Sequence, residues 1–347
     1  MDLSGFIRIS KYAGMREDLV QAGGGNSAYK ISQHEMAIKA SGYQMADVSQ
    51  DNGYAVVDPQ LIRDFFMNCD DLEKITSEQS KGISARAFIQ GERPSIETFL
   101  HSISGRYSLH THPIVVNALT CRENGTETLL QLFPNALVVP YATPGIELAK
   151  AYFREYKKYC HISGKEPQIV FLLNHGLIVS AETADEVIQL TDTVIRKVEH
   201  YLNVDMTAYH DISRIYQLFG NGVIWLVTDE NVRKSYNTLH GPWEHYFCPD
   251  CVVFLGKKIF QIDSPDIDIA KFQAFEENEG CPNVIGYNGN LYLHADSVKK
   301  ALEMQSVLSF SAQVMLLNQD TKCCLLSESE KNFLLNWDAE KYRKNMK

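Results

Sequence analysis

The chain has 347 residues, 45% of them hydrophobic and 22% charged, with 43 acidic against 33 basic side chains and a formal net charge of −10. This is the balance of an ordinary globular protein. Its acidity runs through both halves without a basic stripe, which argues against a nucleic-acid or anionic-membrane surface. No window approaches the roughly 20 apolar residues that span a bilayer, and the N-terminal MDLSGFIRISKYAG has no apolar core of a secretion signal.

The eight cysteines are scattered, which in a chain of this size predicts reduced thiols in a cytoplasm rather than a disulfide framework. The length exceeds what one core usually holds, so two domains are expected.

In chain order, residues 15–22 read as the end of a short helix, stopped by Gly23-Gly24-Gly25. Residues 27–31 and 35–40 read as short strands. Leu61, Ile62, Phe65 and Phe66 have helical spacing within 58–69. Residues 96–104 predict a helix begun by Pro94-Ser95, with Ser95 as its N-cap. Residues 108–112 and 169–173 read as buried strands. Residues 183–202 read as a long amphipathic helix with Val187, Leu190, Val194, Val198 and Tyr201 on one stripe. That helix closes an expected first domain, 1–205. The second, 206–347, carries further helix and strand signals at 223–227, 251–255, 290–293 and 297–317, and no strong catalytic motif. A two-lobed α/β protein is the coarse expectation.

The chemistry gathers in the first domain. His110-Thr111-His112 is the one His-x-His of the chain, and on a strand positions i and i+2 share a face. His175 follows the apolar strand Ile-Val-Phe-Leu-Leu-Asn. Three imidazoles with an open fourth position are the pattern of catalytic zinc, although spacing alone leaves two surface histidines and a loop one as an alternative. Glu97, near the start of a predicted helix, is either a carboxylate serving a metal or one favoured there by the helix dipole. His101 reads as structural. Gly23-Gly24-Gly25-Asn26-Ser27 is a turn whose N–H groups either cradle an anion or merely bend; it lacks dinucleotide spacing. Cys248-Pro249-Asp250-Cys251 is a lone C-x-x-C without a second pair.

Taken in order, Gly-Gly-Gly-Asn-Ser (23–27), Ala-Ser-Gly (40–42), Pro-Ser-Ile-Glu (94–97), His-Thr-His (110–112), Pro-Tyr-Ala-Thr-Pro-Gly (140–145) and Asn-His-Gly-Leu (174–177) resemble the class II aldolase/adducin family, over roughly residues 10–205. Its nearest functional relatives are zinc-dependent fuculose- and rhamnulose-phosphate aldolases. The resemblance implies an α/β/α sandwich around a central, mainly antiparallel sheet, with a smaller C-terminal α/β region added. It implies Zn²⁺ held by His110, His112 and His175, and Glu97 as the acid/base carboxylate. Asn26, Ser27, Ser41, Gly42 and Ser95 match positions that hold the substrate phosphate. It further implies a cytoplasmic homotetramer with active sites at subunit interfaces, acting on a sugar phosphate.

The implied reaction is aldol cleavage of a ketose 1-phosphate or similar substrate, with the metal stabilising an enediolate as a Lewis acid. A 4-epimerase or dehydratase of the same superfamily is the alternative, and an adducin-like binding module without chemistry a more distant one. Two departures stand out. Ile96 occupies the place of a second serine in the fuculose enzymes, and no tyrosine lies between His112 and Tyr141, so the group that protonates the departing aldehyde is unassigned. Residues 206–347 are extra, with a faint resemblance to the region after the aldolase core of longer fusion proteins.

Overall fold

Short apolar strands that alternate between two buried faces build the first part of the chain. In the computed structural model, which describes residues 1–238, 246–264 and 268–336, the chain divides into two units, Met1–Met206 and Thr207–Lys347. Residues 337–347 of the expected second domain lie outside the described residues.

In the first unit, strands β1 (Asn26–Ser32), β2 (Glu35–Lys39), β3 (Tyr54–Val57), β4 (Phe88–Gly91), β5 (Tyr107–Thr111), β6 (Leu137–Val139), β7 (Ile169–Leu172) and β8 (Gly176–Ala181) form one sheet. Its order is β4-β3-β2-β1-β5-β8-β7-β6. Every neighbouring pair is antiparallel except β6 with β7. Period two sorts the side chains between the faces. Val170, Leu172 and Ile178 join Phe66, Phe99 and Phe153 in one core; Phe171, Leu177 and Val179 join Leu119, Val187, Val194 and Val198 in another. Helices Pro59–Met67, Thr98–Ser102 and Ile146–Ser163 cover the first face. Helices Ser4–Gly14, Ile114–Thr120 and Ala184–Leu202 cover the second. The result is the α/β/α sandwich on a mainly antiparallel sheet that the resemblance implies.

Local signals set the helix ends. Asp58 accepts from the N–H groups of Gln60 and Leu61 ahead of Pro59–Met67, and Thr183 with Glu186 closes a capping box ahead of Ala184–Leu202. Two expectations need correction. The first helix runs Ser4–Gly14 and stops eight residues before the expected end. Beyond it, residues 15–22 turn around the buried Arg16, whose guanidinium meets Asp18 Oδ2 at 2.6 Å and Asp192 Oδ1 at 3.0 Å. The helix expected over 96–104 is only Thr98–Ser102, with Glu97 rather than Ser95 at its N-cap position and no side-chain capping bond. Ser95 instead accepts from the Glu97 N–H (3.2 Å) through its hydroxyl and from the Thr98 N–H (3.2 Å) through its carbonyl, a tight turn that uses up the residues of a first helical turn.

The second unit holds strands β9 (Val223–Leu226), β10 (Phe260–Ile262), β11 (Val284–Tyr287) and β12 (Asn290–Ala295) in the order β10-β11-β12-β9. β10 and β11 are parallel and the other pairs antiparallel. Asn288 and Gly289, at φ 48° and 73°, make the two-residue turn of the β11–β12 hairpin, the conformation that Asn-Gly favours. The long helix Val298–Leu317 is capped by the Ser297 hydroxyl. All eight cysteines are free thiols, with Cys248 and Cys251 sulfurs 3.3 Å apart. No helix among the described residues is long and apolar enough to cross a membrane.

Candidate metal centre and anion site

The centre of the sheet carries the histidines. β5 lies between β1 and β8, which places His110 across from Asn26 on one side and from Ile178 on the other. His112 follows the end of β5. His175 sits in the turn between β7 and β8, after Asn174 in the left-handed region at φ 53°. Next to it, Gly176 is required by space: a Cβ there would lie 2.2 Å from the Thr111 carbonyl oxygen and 3.1 Å from the His112 ring. Gly24 and Gly25 likewise leave room beside His112 and the His110 carbonyl. The glycine run is therefore packed under the histidines rather than merely bent.

The ligand-capable atoms of His110, His112 and His175 all lie within 4.8 Å of one another. The Leu177 carbonyl accepts from His110 Nδ1–H at 3.0 Å, which leaves Nε2 with a lone pair facing His112 Nε2 at 3.1 Å. Burial lowers the His110 pKa; burial and the two neighbouring imidazoles hold His112 down to about 3. Both rings are thus neutral at neutral pH, with lone pairs crowded into one space. This donor set fits a divalent cation.

Glu97 is buried against that space. Its carboxylate is 3.1 Å from His175 Nε2 and 3.5 Å from His110 Nε2, and it accepts from Asn26 Nδ2 at 2.6 Å. Burial alone would raise its pKa, but His110, His175 and Asn26 hold it well below the ordinary carboxylate range. Asn26 is fixed in turn. Its amide oxygen pairs with the buried His101, whose other nitrogen bonds Ser108 Oγ at 2.6 Å, which gives the structural histidine its task.

The residues expected to hold an anion divide. Asn26 Nδ2 also reaches Ser95 Oγ at 3.3 Å. Ser41 and Ser95 line one cavity of about 800 Å³, together with Arg93, Lys81 and Ile96. Gly42 lies beside them at φ 86°, open to solvent. Ser27 does not join: alternation along β1 turns it to the opposite face, where its hydroxyl bonds Ser10 Oγ at 2.6 Å. One residue escaped the sequence reading. Lys39 ends β2 almost wholly buried, bonded to the carbonyls of Gly23 (3.3 Å) and Ala40 (3.2 Å). Burial brings it down to about 8 against the pull of Glu97. A charge closing the apolar run Met36-Ala37-Ile38 just before Ala-Ser-Gly was the available signal.

Relatives place this arrangement. A family model described as the Class II Aldolase and Adducin N-terminal domain matches residues 6–202. An uncharacterized oxidoreductase, YuxG of Bacillus subtilis (strain 168), is 28% identical over 206 residues, 55% of this chain and 28% of that protein. The chain thus spans less than a third of that relative's length. The N-terminal class II aldolase domain of a conserved protein from Thermoplasma acidophilum shares the fold. Its TM-score is 0.50 at 22% identity, over 58% of this chain and 94% of that one. An L-fuculose-1-phosphate aldolase from Thermus thermophilus is also similar, with a TM-score of 0.37 and 17% identity over 62% of this chain and 98% of that one. With the match extending over more than half of its length, the chain belongs to the class II aldolase/adducin family.

Proposed function

We propose that the chain is a metal-dependent aldolase that cleaves a ketose 1-phosphate or similar sugar phosphate by retro-aldol chemistry. The observation that carries this reading is the meeting of three imidazoles with a buried carboxylate held low in pKa, next to a cavity lined by Ser41 and Ser95. His110, His112 and His175 would hold the metal, zinc in this reading. A divalent ion there supplies a Lewis acid, which stabilises negative charge developing on the substrate's carbonyl oxygen.

The chain's own groups do the rest. Glu97, which its neighbours keep ionised at rest, would first take up the proton that the substrate hydroxyl releases and then give a proton to the carbon freed when the C–C bond breaks. Asn26 orients that carboxylate, with His101 holding Asn26 in place. Ser41, Gly42 and Ser95, with the Asn26 amide and the Lys39 charge, form the phosphate site. Ser27 could contribute only through its main chain. Residues 1–205 act as the catalytic domain in this reading and 206–347 as an added α/β domain of unassigned role.

Assembly as a homotetramer, with the site completed across an interface, is supported by edge strand β4, whose four residues are all exposed, Phe88 and Ile89 included. Eight free thiols accord with a cytoplasmic setting. The same groups serve an epimerase or dehydratase, so products decide: two fragments, a stereoisomer or water.

The test is elemental analysis of wild type and His112→Ala, followed by a screen of ketose 1-phosphates for aldehyde release. About one zinc per chain, lost in the variant, supports the reading. No stoichiometric metal in wild type after zinc is added back sinks it.

A further inference from the structure

The second unit holds a reactive pair that the metal centre does not use. Cys248 stands at the N-cap position of helix Pro249–Leu255, and Cys251 lies inside the first turn of that helix. Side chains at these two positions face each other, the same geometry that closes a capping box. Here neither makes a cap: no side-chain capping bond forms, and the two sulfurs lie 3.3 Å apart as free thiols. A further approach of about 1.3 Å would bring them to bonding distance.

The two thiols differ in access. Cys251 is wholly buried where its helix packs on Val298–Leu317, with the Ser311 hydroxyl as a further partner. Burial and the neighbouring Cys248 push it up to about 12, so it stays protonated at neutral pH. Cys248 is only half-buried, and Pro249 and Asp250 between the two are exposed. Solvent thus reaches one sulfur directly and the other only through its neighbour. A structural zinc would need four ligands, and among the described residues no third histidine, cysteine or carboxylate gathers with these sulfurs.

We propose that Cys248 and Cys251 form a thiol–disulfide exchange site whose substrate is the disulfide of a small thiol. Cys248 gives up its proton and attacks one sulfur of the substrate, whose S–S bond breaks; the first small thiol leaves with that proton. Cys251 then attacks the Cys248 sulfur, the mixed disulfide breaks, and the second small thiol leaves with the Cys251 proton. Two electrons pass from the dithiol to the substrate, which ends as two thiols while the pair ends as a disulfide. The site lies apart from the histidines and does not rest on the aldolase reading.

The test is incubation of the reduced full chain with glutathione disulfide, alkylation of the remaining thiols, and mass analysis of the peptide that carries both cysteines. Wild type should show the internal disulfide. Cys251→Ser should stop with glutathione on Cys248, and Cys248→Ser should leave Cys251 unmodified. If the buried Cys251→Ser substitution prevents folding, Cys248→Ser and wild type still decide. In glutathione mixtures the pair's oxidation constant should be at least about tenfold greater in the folded chain than in urea, because the fold brings the sulfurs together. A pair that stays reduced, a wild type that stops at the mixed disulfide, modification of Cys251 in Cys248→Ser, or a constant no greater folded than in urea overturns the inference.

Discussion

Two polar clusters are buried in the first unit, and they are built on opposite plans. Around Arg16, every charge meets its opposite: Asp18 at 2.6 Å, Asp192 at 3.0 Å, and the Tyr12 hydroxyl donating to Asp192 at 2.6 Å. Around His110, like meets like: two imidazole nitrogens face each other at 3.1 Å beside a carboxylate. The first cluster closes on itself and ties the turn after the first helix to helix Ala184–Leu202. The second, in the proposed reading, is completed by a metal ion. A buried polar group that finds its complement at home serves the fold; one left facing its own kind is set up for a ligand.

The sharpest way to break the contrast is His112→Ala, expected to strip the metal and reduce turnover below detection while the chain stays folded. Retained stoichiometric metal would show that the histidines do not act as a set. Glu97→Gln should keep the metal and lose about 10²–10⁴-fold in rate, the worth of a positioned acid/base group. Wild-type turnover in that variant would make Glu97 structural.

Arg16→Ala should do the reverse. Leaving Asp18 buried without its partner should destabilise the fold by about 3–5 kcal/mol in urea unfolding, with metal content per folded chain unchanged. A loss within about 1 kcal/mol, the worth of an exposed ion pair, would show that the cluster does not hold the fold together.

The smallest effect is a pH dependence. Lys39 is charged below about 8 and neutral above it, so affinity for a phosphate dianion should be full below that pH, down to the phosphate's own second pKa of about 6, and fall as pH rises through about 8. The expected fall is about tenfold, the value of one charge-assisted hydrogen bond of roughly 1.5 kcal/mol. Lys39→Met should flatten the profile, and an unchanged profile there would remove Lys39 from the anion site.

What the sequence disclosed follows from the range of the signals. His-x-His reads as one face because strand period is local, and the long helix at 184–202 reads from its stripe and from Thr183. Asn26 and Ser27 stand side by side in one motif, yet the same period two turns them to opposite faces; alternation along β1 is the signal that separates them. Other features had no local signal. Arg16 looks like a solvated helix residue until Asp192, 176 positions away, comes back to it. Lys39 shows locally only as a charge closing β2, and its burial depends on the glycine turn at 23–25, which nothing near it in sequence discloses. The short helix at 98–102 reads as longer than it is because Ser95 caps a turn with the same chemistry that caps a helix.

The place of β5 in the sheet has a consequence for timing. With β1 hydrogen-bonded along one edge and β8 along the other, the His110 backbone cannot swing out without tearing two ladders at once. Amide exchange along β5 should therefore be among the slowest in the first unit, while the rim that carries Gly42 and Ile96 exchanges freely. The strand that carries His110 would thus keep its geometry through many openings of the rim, where organic ligands would come and go.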